Sequence, residues 1–251
     1  MENFEMSKNG RDVYFVSQTY QDELPINKFE KYIFLSYARD AEMSIVGRGA
    51  VRYIMLASGR KVVVRKGLRG GFVSRFIEQT YFQKPFTKPS QARQVRELEV
   101  LKFLKNKGVS VPQPVAAYIT YLPFRIGYRG FLATEDIGAH NLLHLGSSVV
   151  ISEMGEDAFK KYCRLAGEEA RKMLNAGIYH PDLHLGNVLY STSDKVYLID
   201  FDNAEYIDGS MSRVDAEKKI RRRWSKSCAK HYLDQIAVKP FEEGLDSETR
   251  K

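Results

Sequence analysis

Three polar side chains stand in an order that suggests phosphoryl chemistry. His180-Pro181-Asp182-Leu183-His184-Leu185-Gly186-Asn187 carries a carboxylate followed by an amide, and Leu198-Ile199-Asp200-Phe201-Asp202 adds a second carboxylate after a short apolar run. Transfer of a phosphoryl group from a nucleoside triphosphate needs one carboxylate to orient the attacking hydroxyl and accept its proton. It also needs hard oxygen donors to hold a divalent cation against the phosphates, because catalysis is mostly positioning and charge neutralisation. The pattern H-x-D-L-x-x-x-N supplies the base and one oxygen ligand from a single loop. Asp182 is the expected base, and Asn187 and Asp200 the expected ligands. Their oxygens suit Mg²⁺ rather than zinc.

The same residues have blander readings. Asp182 could flank a helix as a cap, and His180 with His184 could suggest a zinc site. A zinc site would need cysteine or further histidine at ligand spacing, and none accompanies them. The context favours the chemical reading: helix, H-x-D-L-x-x-x-N, hairpin and I-D-F follow one another in order. His180 is expected to hold the loop through its ring, while the role of His184 stays open.

These groups must be positioned by the elements around them. Phe159, Tyr162, Ala166, Ala170, Met173 and Leu174 lie at helical spacing, and Gly177 stops the run, so residues 157–175 are predicted as a helix. Val188-Leu189-Tyr190 and Val196-Tyr197-Leu198-Ile199 read as two strands of a hairpin that returns Asp200 to the side of Asn187. A strongly basic helix is expected over 213–235. Upstream, Val51–Leu56 and Lys61–Arg65 alternate and flank Ala57-Ser58-Gly59-Arg60, which predicts a hairpin. Residues 92–107 read as a helix, with Val95, Leu98, Leu101 and Leu104 on one stripe and Gly108 as the stop. Prolines keep 109–115 extended, and Tyr128–Glu135 reads as another strand. Residues 1–40 are rich in aromatics and are expected to pack in part on the first lobe.

A β-rich first half followed by a helical second half predicts an α+β, protein-kinase-like two-lobed fold. Residues 1–134 form the expected N-terminal ATP-binding lobe and 135–251 the C-terminal catalytic lobe. The first lobe then needs a glycine turn over the phosphates, a strand-borne cation and a helical glutamate to hold it. Gly47-Arg48-Gly49 is the candidate turn, a weak signal on its own. Strand alternation puts Arg65 at the cation position and points Lys66 to the opposite face. Arginine keeps its charge and grips phosphate through a fork, and Lys66 is the second choice. Glu97 is the expected partner of that cation, against the plain alternative of a solvent-facing helix charge.

Composition constrains the partners. The chain has 251 residues, 43% hydrophobic and 28% charged, with a formal net charge of +8. Excess positive charge favours anionic partners. The first twenty residues are polar, which predicts no leader peptide, and no apolar run reaches membrane-spanning length. Two cysteines, Cys163 and Cys228, without a partner pattern are expected to be reduced. Nucleic acid is not expected, since no aromatic run suits base stacking.

The chain resembles the lipopolysaccharide kinase superfamily over about residues 45–205, and within it the 3-deoxy-D-manno-octulosonic acid (Kdo) kinases. The carrying segments are Gly47-Arg48-Gly49, Val64-Arg65 with Leu68-Arg69-Gly70-Gly71-Phe72-Val73, Arg93–Leu101 with Glu97, Val111-Pro112-Gln113-Pro114-Val115-Ala116-Ala117, Tyr128-Arg129, and the loop with Ile199-Asp200-Phe201-Asp202. An arginine at the strand cation position also looks like that family. The resemblance implies ATP and Mg²⁺ as cofactors and a Kdo hydroxyl, the 4-hydroxyl, on a Kdo-lipid A type acceptor. It also implies work at the cytoplasmic face of a Gram-negative inner membrane. The loop departs from the family pattern at Pro181 and His184, where Ala and Asn are usual, and Asn203 stands where a basic residue is common. These changes sit toward the acceptor side.

An anionic membrane surface is the expected docking partner. The cluster Arg221–Lys226, with Ile220 and Trp224 four apart, has the look of a basic helix resting on an acidic bilayer. A solvated helix face is the alternative. The rival functions are a kinase for heptose or another small alcohol, and a non-catalytic kinase fold serving as a binding module.

Overall fold

The computed structural model describes residues 4–24, 51–66, 81–82, 88–125, 127–138, 140–146, 152, 155–191 and 193–247. Gly47, Arg48, Gly49 and the Leu68–Val73 segment lie outside them. The chain forms two compact units, Met1–Lys102 with Gln113–Asp136, and Phe103–Pro112 with Ile137–Lys251. A single cut near residue 134 therefore misses one detail: Phe103–Pro112 belong to the second unit.

The first unit is built on an antiparallel sheet. Its strands are β1 (Phe4–Asn9), β2 (Asp12–Ser17), β3 (Val51–Met55), β4 (Lys61–Lys66), β5 (Tyr81–Phe82), β6 (Pro114–Tyr121) and β7 (Gly127–Glu135). They lie in the order β1-β2-β6-β7-β4-β3, with β5 also paired to β7. The expected hairpin is β3–β4, in register Tyr53 to Val63, and β7 matches the strand expected at 128–135. Alternation sets the faces: Val62 and Val64 are fully buried, in one cluster with Tyr14, Tyr118 and Phe131, so Arg65 stands on the opposite face.

Residues 4–24 pack more completely than their sequence suggested. β1 and β2 form a hairpin with Asn9 paired to Asp12 and the loop Gly10-Arg11 between them, where Gly10 takes a positive φ of 59°. A glycine at the first loop position suits such a two-residue turn, which needs left-handed backbone there. Tyr20 and Leu24 follow into the core, and Glu23 pairs with Arg60 and accepts from the Ser58 amide. This N-terminal segment thereby clasps the β3–β4 turn.

Helix α1 (Arg93–Asn106) lies where periodicity put it, with Val95, Leu98, Leu101 and Leu104 buried. In the second unit, β8 (His140–Asn141) leads into the short helix α2 (Leu142–Leu145), then α3 (Glu156–Asn175) and β9 (Ile178–Tyr179). Gly177 ends α3 with φ 81°, a left-handed stop that costs glycine least. The expected hairpin is β10 (Val188–Tyr190) with β11 (Val196–Leu198), and β8 adds a third strand. Ser110 joins this unit through two backbone bonds: its amide donates to the buried Glu169 at 2.7 Å, and its carbonyl accepts from the Leu198 amide at 3.0 Å. These bonds explain why the stretch after α1 belongs with the catalytic hairpin.

After β12 (Glu205–Tyr206), the basic segment forms two helices rather than one. Helix α4 (Arg213–Lys230) breaks at His231–Leu233, where Tyr232 has φ 58°, and α5 (Asp234–Asp246) follows. Ser212 caps α4, its hydroxyl accepting from the Asp215 amide at 3.1 Å. Trp224 is 1% exposed, stacked on Phe241 at 4.0 Å between ring centroids, and its Nε1 donates to the Ala237 carbonyl. Ile220 is also buried. The expectation that Ile220 and Trp224 rest on a bilayer is therefore corrected, because both are buried within the protein, Trp224 against α5.

Helices α3 and α5 meet backbone to backbone at Gly167 and Gly244. A Cβ on Gly244 would run into the Arg164 carbonyl, and one on Gly167 into the Phe241 carbonyl. Alanine raises helix propensity by about 1 kcal/mol over glycine, yet overpacking against rigid backbone costs about 1–3 kcal/mol or more. Gly244→Ala is expected to lose stability and to lower Tm by several degrees in thermal unfolding. A Tm at or above wild type would show that the helices have room to part.

Candidate active site

The expected site residues fall in both units, one set in each. In the first, an Arg65 Nη2 atom lies 2.6 Å from Glu97 Oε1, with the Glu97 side chain 6% exposed. Glu97 is thus the buried partner of the strand cation and not a solvent-facing charge. The main chain carries Arg65 between Val51 on β3 and Leu132 on β7, so the guanidinium is fixed at its base by sheet pairing and at its tip by the carboxylate. Arg65→Ala is expected to raise the KM for ATP about tenfold to a hundredfold, with Lys66→Ala well behind. A larger loss from Lys66→Ala would reverse the assignment.

In the second unit, the loop 180–187 is shaped by bonds to its own backbone. His180 is 1% exposed; its Nε2 lies 3.0 Å from the Ile199 carbonyl and its Nδ1 accepts from the Asp182 amide at 3.2 Å. A neutral ring protonated at Nε2 satisfies both partners. Burial pushes the His180 pKa below its ordinary value, despite opposing effects from the Ile199 carbonyl, Asp200 and Asp182. Phe201, also buried, packs its ring 4.8 Å from that of His180. His180 therefore holds the loop against the strand that precedes Asp200.

His184 has a similar local task. Its Nδ1 accepts from the Gly186 amide at 2.9 Å and its carbonyl accepts from the Asn187 amide at 2.8 Å. The other ring nitrogen faces Asp182, with Nε2 3.7 Å from Oδ2. Burial pushes the His184 pKa down, while Asp182 acts to raise it and Arg223 to lower it further.

The hairpin brings Asn187 and Asp200 together. Val188 pairs with Leu198, and the Ile199 amide donates to the Asn187 carbonyl at 3.1 Å. Asp200 is one residue beyond, with φ 70°, a left-handed value that aspartate tolerates better than most side chains. The Asn187 Nδ2 donates to the Asp182 carbonyl at 3.0 Å. With its NH₂ so used, Oδ1 is the atom left to meet a cation. An amide oxygen and a carboxylate carried on neighbouring backbone positions are hard donors of the kind Mg²⁺ takes, and that ion completes its shell with phosphate and water. Among the described residues, no three His, Cys, Asp or Glu side chains converge as a metal site. Cys163 and Cys228 are free and buried, and burial pushes both thiols up, Cys228 to about 12. Neither is a thiolate nucleophile at neutral pH.

Sequence reasoning missed Arg223. Its Nε and Nη2 reach the same Asp182 oxygen, Oδ1, at 2.9 and 2.6 Å. It had been counted among the bilayer-facing charges, as had Arg221, which instead pairs with Glu217 and Asp246. A helical wheel held the signal: Arg223 follows the buried Ala216 by seven residues and precedes the buried Ser227 by four, which turns it toward the protein. Nothing in the sequence named Asp182 as its partner.

One unit on an antiparallel sheet and one mostly helical unit with this loop and hairpin define a protein-kinase-like phosphotransferase. The structure of WaaP in complex with acyl carrier protein matches this chain with a TM-score of 0.55 at 15% identity, covering 89% of this chain and 86% of that one, which supports the fold. The model of the lipopolysaccharide kinase (Kdo/WaaP) family matches residues 39–227, and the chain belongs to that family. It is similar to the 3-deoxy-D-manno-octulosonic acid kinase of Vibrio cholerae, 28% identical over 191 residues and 76% of each chain. It is also similar to the one of Vibrio parahaemolyticus, 31% identical over 179 residues, 71% of this chain and 70% of the relative. The chain is thus a sugar kinase of lipopolysaccharide biosynthesis.

Proposed function

We propose that the chain transfers the γ-phosphate of ATP to a Kdo hydroxyl, the 4-hydroxyl, on a Kdo-lipid A type acceptor. The single observation that supports this reading is the loop in which Asn187 Nδ2 bonds the Asp182 carbonyl while the Ile199 amide, next to Asp200, bonds the Asn187 carbonyl, in a chain of the Kdo/WaaP family. The acceptor O–H gives its proton to Asp182 as its oxygen bonds to the γ-phosphorus. The bond from that phosphorus to the β-γ bridging oxygen breaks, and ADP leaves. When bound, Mg²⁺ neutralises charge on the phosphates, and Asn187 and Asp200 are the residues that would hold it. Arg65, braced by Glu97 within the first unit, is the proposed phosphate-binding cation, and Gly47, Arg48 and Gly49, outside the described residues, are the proposed phosphate turn.

The test is an acceptor panel with purified enzyme, ATP and Mg²⁺. Kdo-bearing lipid A precursor should be phosphorylated with a kcat/KM at least about a hundredfold above a heptose-bearing core lacking Kdo or a simple alcohol. Preference for heptose would move the acceptor and keep the kinase.

The proposed place of work is the cytoplasmic face of a Gram-negative inner membrane, on its anionic surface. One feature supports it. Lys218, Arg222, Lys226 and Lys230, four apart along α4, are all exposed, and such a stripe gains about 1 kcal/mol per charge at an anionic surface. This stripe keeps Arg222 and Lys226 of the expected cluster Arg221–Lys226 and drops Arg221 and Arg223, which pair within the protein. Reversing these four charges to Glu should abolish flotation with phosphatidylglycerol vesicles at low salt; unchanged flotation would remove the stripe from the account.

A further inference from the structure

We infer that Arg223 determines acceptor specificity: it holds Asp182 by one oxygen and offers its remaining N–H groups to an anionic group of the acceptor, the carboxylate of a sugar acid. This rests on the acceptor reading above and assigns one of its contacts to a residue.

The geometry of the pair is the first argument. A fork in which two guanidinium N–H groups meet the two carboxylate oxygens is a frequent and strong arrangement for arginine with a carboxylate. Here Nε and Nη2 converge on Oδ1 alone, at 2.9 and 2.6 Å. Oδ2 is left on the other side, 3.7 Å from His184 Nε2, as the oxygen able to take the acceptor proton. A guanidinium has five N–H donors. Two address Oδ1, so three remain within reach of a group bound next to the base.

The energetics separate this role from a structural one. The Asp182 side chain is 50% exposed and that of Arg223 33%, and an ion pair so open to solvent adds only about 0–1 kcal/mol to stability. Helix α4 does not need it. Ile220, Trp224 and Cys228 bury the inner face, and Arg221 ties α4 to Asp246 at the end of α5. The backbone beneath Arg223 is therefore set by other contacts, while its charged end stays open at the base. A cation there attracts an acceptor whose reacting hydroxyl and carboxylate share one sugar ring, because the base fixes the first and the guanidinium meets the second. A neutral sugar at the same place would leave the guanidinium without that contact.

The test is steady-state kinetics of the full-length enzyme on Kdo-bearing lipid A precursor and on its carboxyl methyl ester. Wild type is expected to show a KM about tenfold to a hundredfold higher for the ester, the size of one charge-assisted contact. In Arg223→Gln that ratio should fall to about one, through a higher KM for the free acid, and Arg223→Lys should restore part of it. The assignment is overturned if Arg223→Gln keeps the wild-type ratio, including the case in which it lowers kcat equally on both acceptors, since Arg223 would then act on the base or the transferring phosphoryl group. No wild-type transfer to either acceptor would overturn the acceptor reading itself and this assignment with it.

Discussion

Asp182→Ala is expected to reduce kcat by at least about 10²–10⁴-fold, the range that general-base catalysis supplies, while ATP binding stays near wild type. Both halves of that expectation come from the loop's hydrogen bonds. His180 Nδ1 accepts from the Asp182 backbone amide, and Asn187 Nδ2 donates to the Asp182 backbone carbonyl. Neither contact uses the carboxylate, so truncating the side chain removes the proton acceptor and leaves the loop's shape. The side-chain pairings lost are those with Arg223 and, at 3.7 Å, with His184 Nε2; both are partly exposed and contribute little to stability. Single-turnover transfer measured beside nucleotide titration separates the two effects. Wild-type turnover in the variant would take Asp182 out of the chemistry; loss of nucleotide binding would mean that the carboxylate shapes the site and does not act as base.

Asp200→Asn carries the second large effect. Asparagine keeps the tolerance for left-handed backbone that φ 70° demands, so the change isolates charge from conformation. Losing one carboxylate from a Mg²⁺ shell is expected to weaken Mg²⁺ binding in the presence of ATP by ~100-fold, since charge stabilisation by the ion is worth several kcal/mol, and kcat should fall with it. Titrating Mg²⁺ against rate at fixed ATP reads this directly. An unchanged Mg²⁺ dependence would remove Asp200 from the ligand set. Asn187→Ala is a less clean probe, because it deletes the oxygen donor and also the bond to the Asp182 carbonyl.

Local features of the sequence were the legible ones. The β10–β11 hairpin and the loop before it are set by contacts within about twenty residues, so spacing alone brought Asn187 beside Asp200. Strand alternation likewise assigned Arg65 and Glu97 to each other, through β4 and a helix with a regular apolar stripe. The β1–β2 hairpin carried its own signal at Gly10, which the aromatic richness of the region overshadowed. Helix α5 was hidden for two reasons: Tyr232 breaks the preceding helix with positive φ, and Pro240 sits inside the new one, where a proline usually argues against helix.

The reading of α4 shows the main gap. Ile220 and Trp224 repeat as a bilayer-facing stripe would, but the same repeat marks burial against another helix, and sequence periodicity does not name the partner. Only the fold shows that both residues are buried, with Trp224 against α5. The same holds for Arg223, whose inward position is readable from the helical wheel while its partner, 41 residues earlier in the chain, is not.

The most direct test of the central claim is mass spectrometry of Kdo-lipid A precursor after incubation with purified enzyme, ATP and Mg²⁺, alongside Asp182→Ala. One added phosphate, located on the Kdo by fragmentation and absent with the variant, is the predicted result. An unmodified acceptor from an enzyme that binds ATP, or equal phosphorylation by the variant, would contradict it.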